Sequence, residues 1–127
     1  MSILQSLKKA KGLGSGHNGT HHFIVQRASA VILIPLVLYF LFSLIVLSDA
    51  EGFAAVQAWF ANPLNSGLSL AFIITGFYHA ALGLQVVIED YIHHEQSKWL
   101  ALIAVKGVCL IGALIAIVSI IRLGLAH

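Results

Sequence analysis

His79, Asp90 and Tyr91 are the side chains of this sequence whose types and spacing suit chemistry, and all three lie in or at the end of the apolar stretch 76–91. No proline interrupts that stretch, so it reads as a helix. Eleven positions at 100° each bring His79 and Asp90 to within about 20° of one another around the axis, roughly 16 Å apart along it. Burying an ionisable group in an apolar helix is costly, which marks such a residue for function by default. A neutral imidazole in an apolar wall suits an axial bond to haem iron, and a hydrogen-bonded packing histidine suits the same place. The iron's other axial ligand would come from a partner chain, because the remaining histidines lie near the ends of the apolar blocks. A tyrosine hydroxyl beside a carboxylate donates to a quinone carbonyl and helps relay protons. A plain interface anchor at a helix end has the same composition. Gly76, Ala80 and Gly83 form a smooth strip beside His79, open to a flat cofactor or to another helix.

The rest of the chain must position these groups, and its composition says in what medium. Of 127 residues 59% are hydrophobic and 9% charged, with a mean hydropathy of +0.94. A soluble domain carries about a quarter charged residues. The apolar residues fall into three blocks, each near the roughly 20 residues that cross a bilayer. The fold expected is therefore an all-α membrane protein with three transmembrane helices, at about 23–47, 66–91 and 100–123. Residues 1–22 form a basic, glycine-rich segment ending in a flexible loop, and residues 23–127 the membrane domain. The formal charge of +2 suggests no nucleic-acid partner. The one cysteine, Cys109, reads as a small core residue. No cleavable signal peptide is expected, since the first apolar block is too long for one.

His17, His21 and His22 cluster before the first helix, either as a metal site or as solvated loop histidines. Arg27 stands at headgroup depth, where it snorkels to lipid phosphate or meets an anionic partner within a complex. Pro35 deprives the Val31 carbonyl of its helical donor and predicts a mild kink. Between the first two spans, Phe53, Val56 and Phe60 recur at helical spacing with Trp59. They predict a short helix on the membrane surface, ended by Asn62-Pro63. A polar turn over His93–Lys98 leads to the third span, where Gly112 and Ala116 suggest close helix packing.

Lys8, Lys9, Lys11, Arg27 and Lys98 gather at one side of the expected bundle, with Lys106 near it, and Arg122 stands alone at the other. The positive-inside rule then puts the N-terminus in the cytoplasm and the C-terminus in the periplasm. A bacterial inner membrane is the simplest location and a mitochondrial inner membrane the less favoured one.

Two segments carry a family resemblance: Gly19-Thr20-His21-His22-Phe23-Ile24-Val25-Gln26-Arg27-Ala28-Ser29-Ala30, and His79 to His93 with its His-x-x-x-Gly-x-x-x-x-x-x-Asp-Tyr pattern. They resemble the small cytochrome b membrane anchors of succinate dehydrogenase, one of the two membrane chains of respiratory complex II. The resemblance implies that His79 is an axial ligand of haem b, the other axial histidine coming from the sister cytochrome b chain in the membrane. It implies that Tyr91 hydrogen-bonds ubiquinone with Asp90 beside it. It also sets Arg27, with His21 just upstream, near the haem propionates. His22 stands where relatives carry an acidic residue and is given no role. Flavin and iron–sulfur clusters would belong to two soluble partners, the flavoprotein and iron–sulfur subunits. The expected function is anchoring these in the bilayer as a non-catalytic subunit of succinate:ubiquinone oxidoreductase. The alternatives are the anchor of a quinol:fumarate reductase and a membrane scaffold without redox function.

Overall fold

The structure, a computed structural model, describes residues 15–50 and 52–126, with side chains from Thr20 onward. Lys8, Lys9, Lys11 and the His17 side chain lie outside the described residues. Among the described residues four helices follow in order: α1 (Ser15–Ser48), α2 (Phe53–Ala61), α3 (Pro63–Tyr91) and α4 (Glu95–Leu125). Three of them, over Thr20–Ser48, Pro63–Tyr91 and Glu95–Leu125, are long and apolar enough to cross a membrane. At 1.5 Å per residue, α3 measures about 43 Å against a hydrocarbon core of about 30 Å.

α3 and α4 start ahead of their apolar runs because caps, not hydropathy, set those starts. Asn62 closes α2 and caps α3: its Oδ1 accepts from the Leu64 N–H at 2.9 Å, and Pro63 takes the first helical position. There its missing N–H costs nothing. His94 caps α4 through Nδ1, which accepts from the Ser97 N–H at 3.3 Å, with Glu95 in the first turn. The polar turn expected over His93–Lys98 is therefore already helical from Glu95. The flexible loop expected up to His22 is also corrected over the described residues: Ser15 to His22 are already helical, as part of α1. The turns of the adjoining apolar helix propagate through Gly16 and Gly19, and adding a residue to an existing helix costs far less than starting one. Gly52, at φ +86°, turns the chain from α1 into α2, an angle readily adopted only by glycine. α1 continues through Pro35 without a break.

α3 is the shared partner, packing against α1, α2 and α4. α1 and α3 run antiparallel, as Ser29 meets His79 midway along α3 and Tyr39 meets Asn65 near its start. The buried apolar core is small: Leu36, Leu82, Ile88 and Ile120. Large apolar side chains such as Phe42 and Val108 point outward, the latter 70% exposed. This is the pattern of helices solvated by lipid or by partner helices, where close packing and interhelical hydrogen bonds hold the fold.

The end carrying α2 is tied by polar groups. Tyr39 donates to Asn65 Oδ1. Asn65 Nδ2 donates to the Trp59 carbonyl at 2.9 Å. Ser66 donates to the Phe60 carbonyl. Tyr39, Phe40, Trp59, Phe60 and Phe72 form an aromatic cluster around them. α2 also leans on α4, with Gln57 Nε2 donating to the Ala126 carbonyl at 3.1 Å. A Cβ on Gly124 would stand 3.1 Å from the Phe60 carbonyl oxygen. Midway along the bundle, a Cβ on Gly112 would come within 2.9 Å of Phe77 Cε1. The small residue there lets α3 and α4 approach closely.

Candidate functional site

His79 lies in the middle of α3, sixteen positions after Pro63 and twelve before Tyr91, and is half-buried. Its Nδ1 is 2.8 Å from the Oγ of Ser29 on α1. Ser29 is 5% exposed, and its hydroxyl also reaches the Gln26 carbonyl at 2.9 Å. Among the described residues Nε2 of His79 makes no hydrogen bond.

The strip of small residues beside His79 receives another helix of the same chain. A Cβ on Gly83 would stand 3.4 Å from Gln26 Nε2, and one on Gly76 would stand 4.0 Å from Leu33 Cδ2. α1 thus lies along the Gly76 and Gly83 side. Ala80 is exposed and borders an open apolar groove with Phe72, Ile73 and Phe77. The Oε1 of Gln26 is buried without a hydrogen-bond partner among the described residues. A polar atom stranded this way in an apolar wall carries a desolvation cost that a partner from outside the chain would relieve.

The other expected site residues sit toward the end of the bundle where α1 begins and α3 ends. Arg27 is exposed, and its guanidinium carbon lies 5.2 Å from the centre of the Phe23 ring one turn earlier. A cation on an aromatic face is held loosely and remains free to pair with an anion. His21 is exposed and meets His22 edge-on at 6.1 Å between ring centres. Asp90 and Tyr91 are exposed, Tyr91 at 78%, and neither makes a hydrogen bond among the described residues. About 18 Å along the helix separates Tyr91 from His79. The structure therefore brings Ser29 to His79 and leaves Arg27, His21, Asp90 and Tyr91 outward-facing. Beside Tyr91, the turn into α4 forms an open groove lined by His93, Glu95, Gln96, Lys98 and Trp99.

No group of three or more metal-ligating side chains converges among the described residues. The donor set is one imidazole nitrogen on a half-buried helix face, with the Ser29 hydroxyl at its other nitrogen. That fits a single nitrogen ligand to haem iron. Sequence reasoning passed over Ser29 and Gln26. A serine and a glutamine in an apolar helix gave one signal, three positions apart on one face, but no partner could be named without the register of α1 on α3.

A family profile described as the succinate dehydrogenase/fumarate reductase transmembrane subunit matches residues 1–119. The chain is 39% identical to the succinate dehydrogenase hydrophobic membrane anchor subunit of Rickettsia bellii, over 77% of this chain and 78% of that one. It is 33% identical to the subunit of the same name from Paracoccus denitrificans, over 98% of this chain and 95% of the relative. The one from Rickettsia prowazekii is 31% identical over 91% and 92%. No solved structure gives a significant match.

Proposed function

The chain belongs to the succinate dehydrogenase/fumarate reductase transmembrane subunit family, and from that premise we propose that it anchors a succinate:ubiquinone oxidoreductase in a bacterial inner membrane. Its three spans form one membrane domain, with the segment before the first span in the cytoplasm and the C-terminus in the periplasm. The basic residues support this orientation: Lys98 in the first turn of α4 lies at one end, with Arg27 in the half of α1 nearer to it, and Arg122 in the last turn of α4 lies at the other. Its partners are a sister membrane subunit, an iron–sulfur subunit and a flavoprotein subunit. The relatives' shared name, succinate dehydrogenase, favours this direction over fumarate reduction.

In this reading His79 would hold haem b through Nε2, and the sister subunit would supply a further ligand. When bound, haem b supplies a one-electron redox site within the membrane. Arg27 is free to leave the Phe23 ring for a propionate, with His21 nearby in sequence. Tyr91 and Asp90 stand where α3 ends, at the face on which the soluble subunits dock. Reducing a quinone takes two electrons and two protons. The Tyr91 hydroxyl donates to a quinone carbonyl, and the Asp90 carboxylate orients that hydroxyl or passes protons from water.

The single observation that carries the haem reading is His79 itself, fixed through Nδ1 at mid-helix with Nε2 making no hydrogen bond among the described residues. The test is the reduced-minus-oxidised absorption spectrum of the purified complex, wild type against His79→Leu. A b-type signal altered by the substitution is expected. A spectrum unchanged in assembled complex returns His79 to a packing role.

A further inference from the structure

We infer that Ser29 is a positioning residue for His79: it accepts a hydrogen bond from Nδ1 and so fixes the tautomer that leaves the Nε2 lone pair for iron. The inference rests on the reading of His79 as a haem ligand.

A hydroxyl has one hydrogen and two lone pairs, and the Ser29 hydroxyl has two neighbours, the Gln26 carbonyl at 2.9 Å and His79 Nδ1 at 2.8 Å. With the imidazole hydrogen on Nδ1, the ring donates to Ser29 Oγ and the hydroxyl donates to Gln26, so both contacts are hydrogen bonds. With that hydrogen on Nε2, the hydroxyl must turn to Nδ1. The Gln26 contact then loses its hydrogen, and Nε2–H has no acceptor among the described residues. In an apolar wall no water replaces the missing bond. The first tautomer therefore makes one more hydrogen bond and strands no donor.

Serine inside a helix commonly turns its hydrogen onto the carbonyl three or four residues earlier. That preference points the lone pairs of Ser29 outward from α1, toward α3. Donation to the Gln26 carbonyl polarises the hydroxyl and makes its oxygen a better acceptor. An imidazole whose second nitrogen donates to such an acceptor is held in orientation and is more basic at the ligating nitrogen. A more basic axial ligand favours the ferric state and lowers the potential of the iron.

The test compares Ser29→Ala, Ser29→Cys and Ser29→Thr in the assembled complex, with His79→Leu alongside. The readouts are the haem midpoint potential and the low-spin electron paramagnetic resonance signature, which report the strength and orientation of the axial donor. Ser29→Ala is expected to raise the potential and change the signature. Ser29→Thr, which keeps the hydroxyl, should match wild type. Ser29→Cys, a weak acceptor, should fall between them and carries the test if the alanine variant does not assemble. Wild-type potential and signature in the alanine or cysteine variant, where His79→Leu alters them, would overturn the inference alone. Threonine behaving as alanine would overturn it too, since volume and not the hydroxyl would then matter. An unaltered haem in His79→Leu would overturn the ligand assignment and this inference with it.

Discussion

The ring of Phe77 rests on Gly112, so close that a Cβ there would stand 2.9 Å from Phe77 Cε1 and 3.1 Å from its Cζ. The contact sets the distance between α3, which carries His79, Asp90 and Tyr91, and α4. Overpacking a seated contact costs about 1–3 kcal/mol. Gly112→Val is therefore expected to lower the thermal stability of the detergent-solubilised complex, and Gly112→Ala to lower it less, since the ring can turn away from one methyl. An unchanged Tm for the valine variant would show that this ring is not seated between the helices.

Tyr39 and Asn65 join α1 to the start of α3, and Asn65 also holds the Trp59 carbonyl at the end of α2. Interhelical hydrogen bonds in membrane proteins couple by about 0.6 kcal/mol on average and up to about 1.7. Tyr39→Phe and Asn65→Leu should each destabilise the complex, and the double variant by less than their sum. Strict additivity in thermal inactivation would mean the two side chains act apart.

Tyr91→Phe removes one hydroxyl from an exposed helix end and no hydrogen bond among the described residues. Losing a neutral hydrogen bond to quinone costs about 0.5–1.5 kcal/mol, roughly a two- to tenfold loss of rate. Succinate:ubiquinone reductase activity should fall by that much. Succinate oxidation by a soluble dye that takes electrons upstream should persist. A parallel fall in both would assign Tyr91 to assembly, and a fall in neither would leave the quinone to other subunits.

Orientation is open to reporter fusions. A reporter after His127 should be active outside the cytoplasm, and one inserted between His93 and Glu95 active inside it. A cytoplasmic reporter at His127 would contradict three spans with the N-terminus inside.

The three spans were legible because a bilayer demands about 20 apolar residues in a row, and hydropathy records that demand directly. It does not record backbone hydrogen bonding, which is why α1 is already helical from Ser15 to His22, ahead of the apolar run, and α4 starts at Glu95. The start of α3 was written in Asn62-Pro63 as a cap followed by a first helical residue, and reads so once the pair is taken as opening a helix as well as closing one. His79 stood out as an ionisable residue in an apolar helix. Its partner did not, because Ser29 is fifty positions away and meets it only through the register of two antiparallel helices. The small strip showed that something lies close to α3, and its chemistry did not distinguish α1 from a cofactor.

The seat of α2 has a consequence in time. Phe60 settles over Gly124, and Gln57 over Ala126, so a helix made early leans on residues made much later. At 5–20 residues per second, the roughly 64 residues from Phe60 to Gly124 take about 3–13 s to synthesise. α1 and α3 can pair through Ser29 and His79 well before then. During biogenesis the surface helix therefore waits beside an incomplete bundle, with Trp59 and Phe60 already on the aromatic cluster and the α4 side still open.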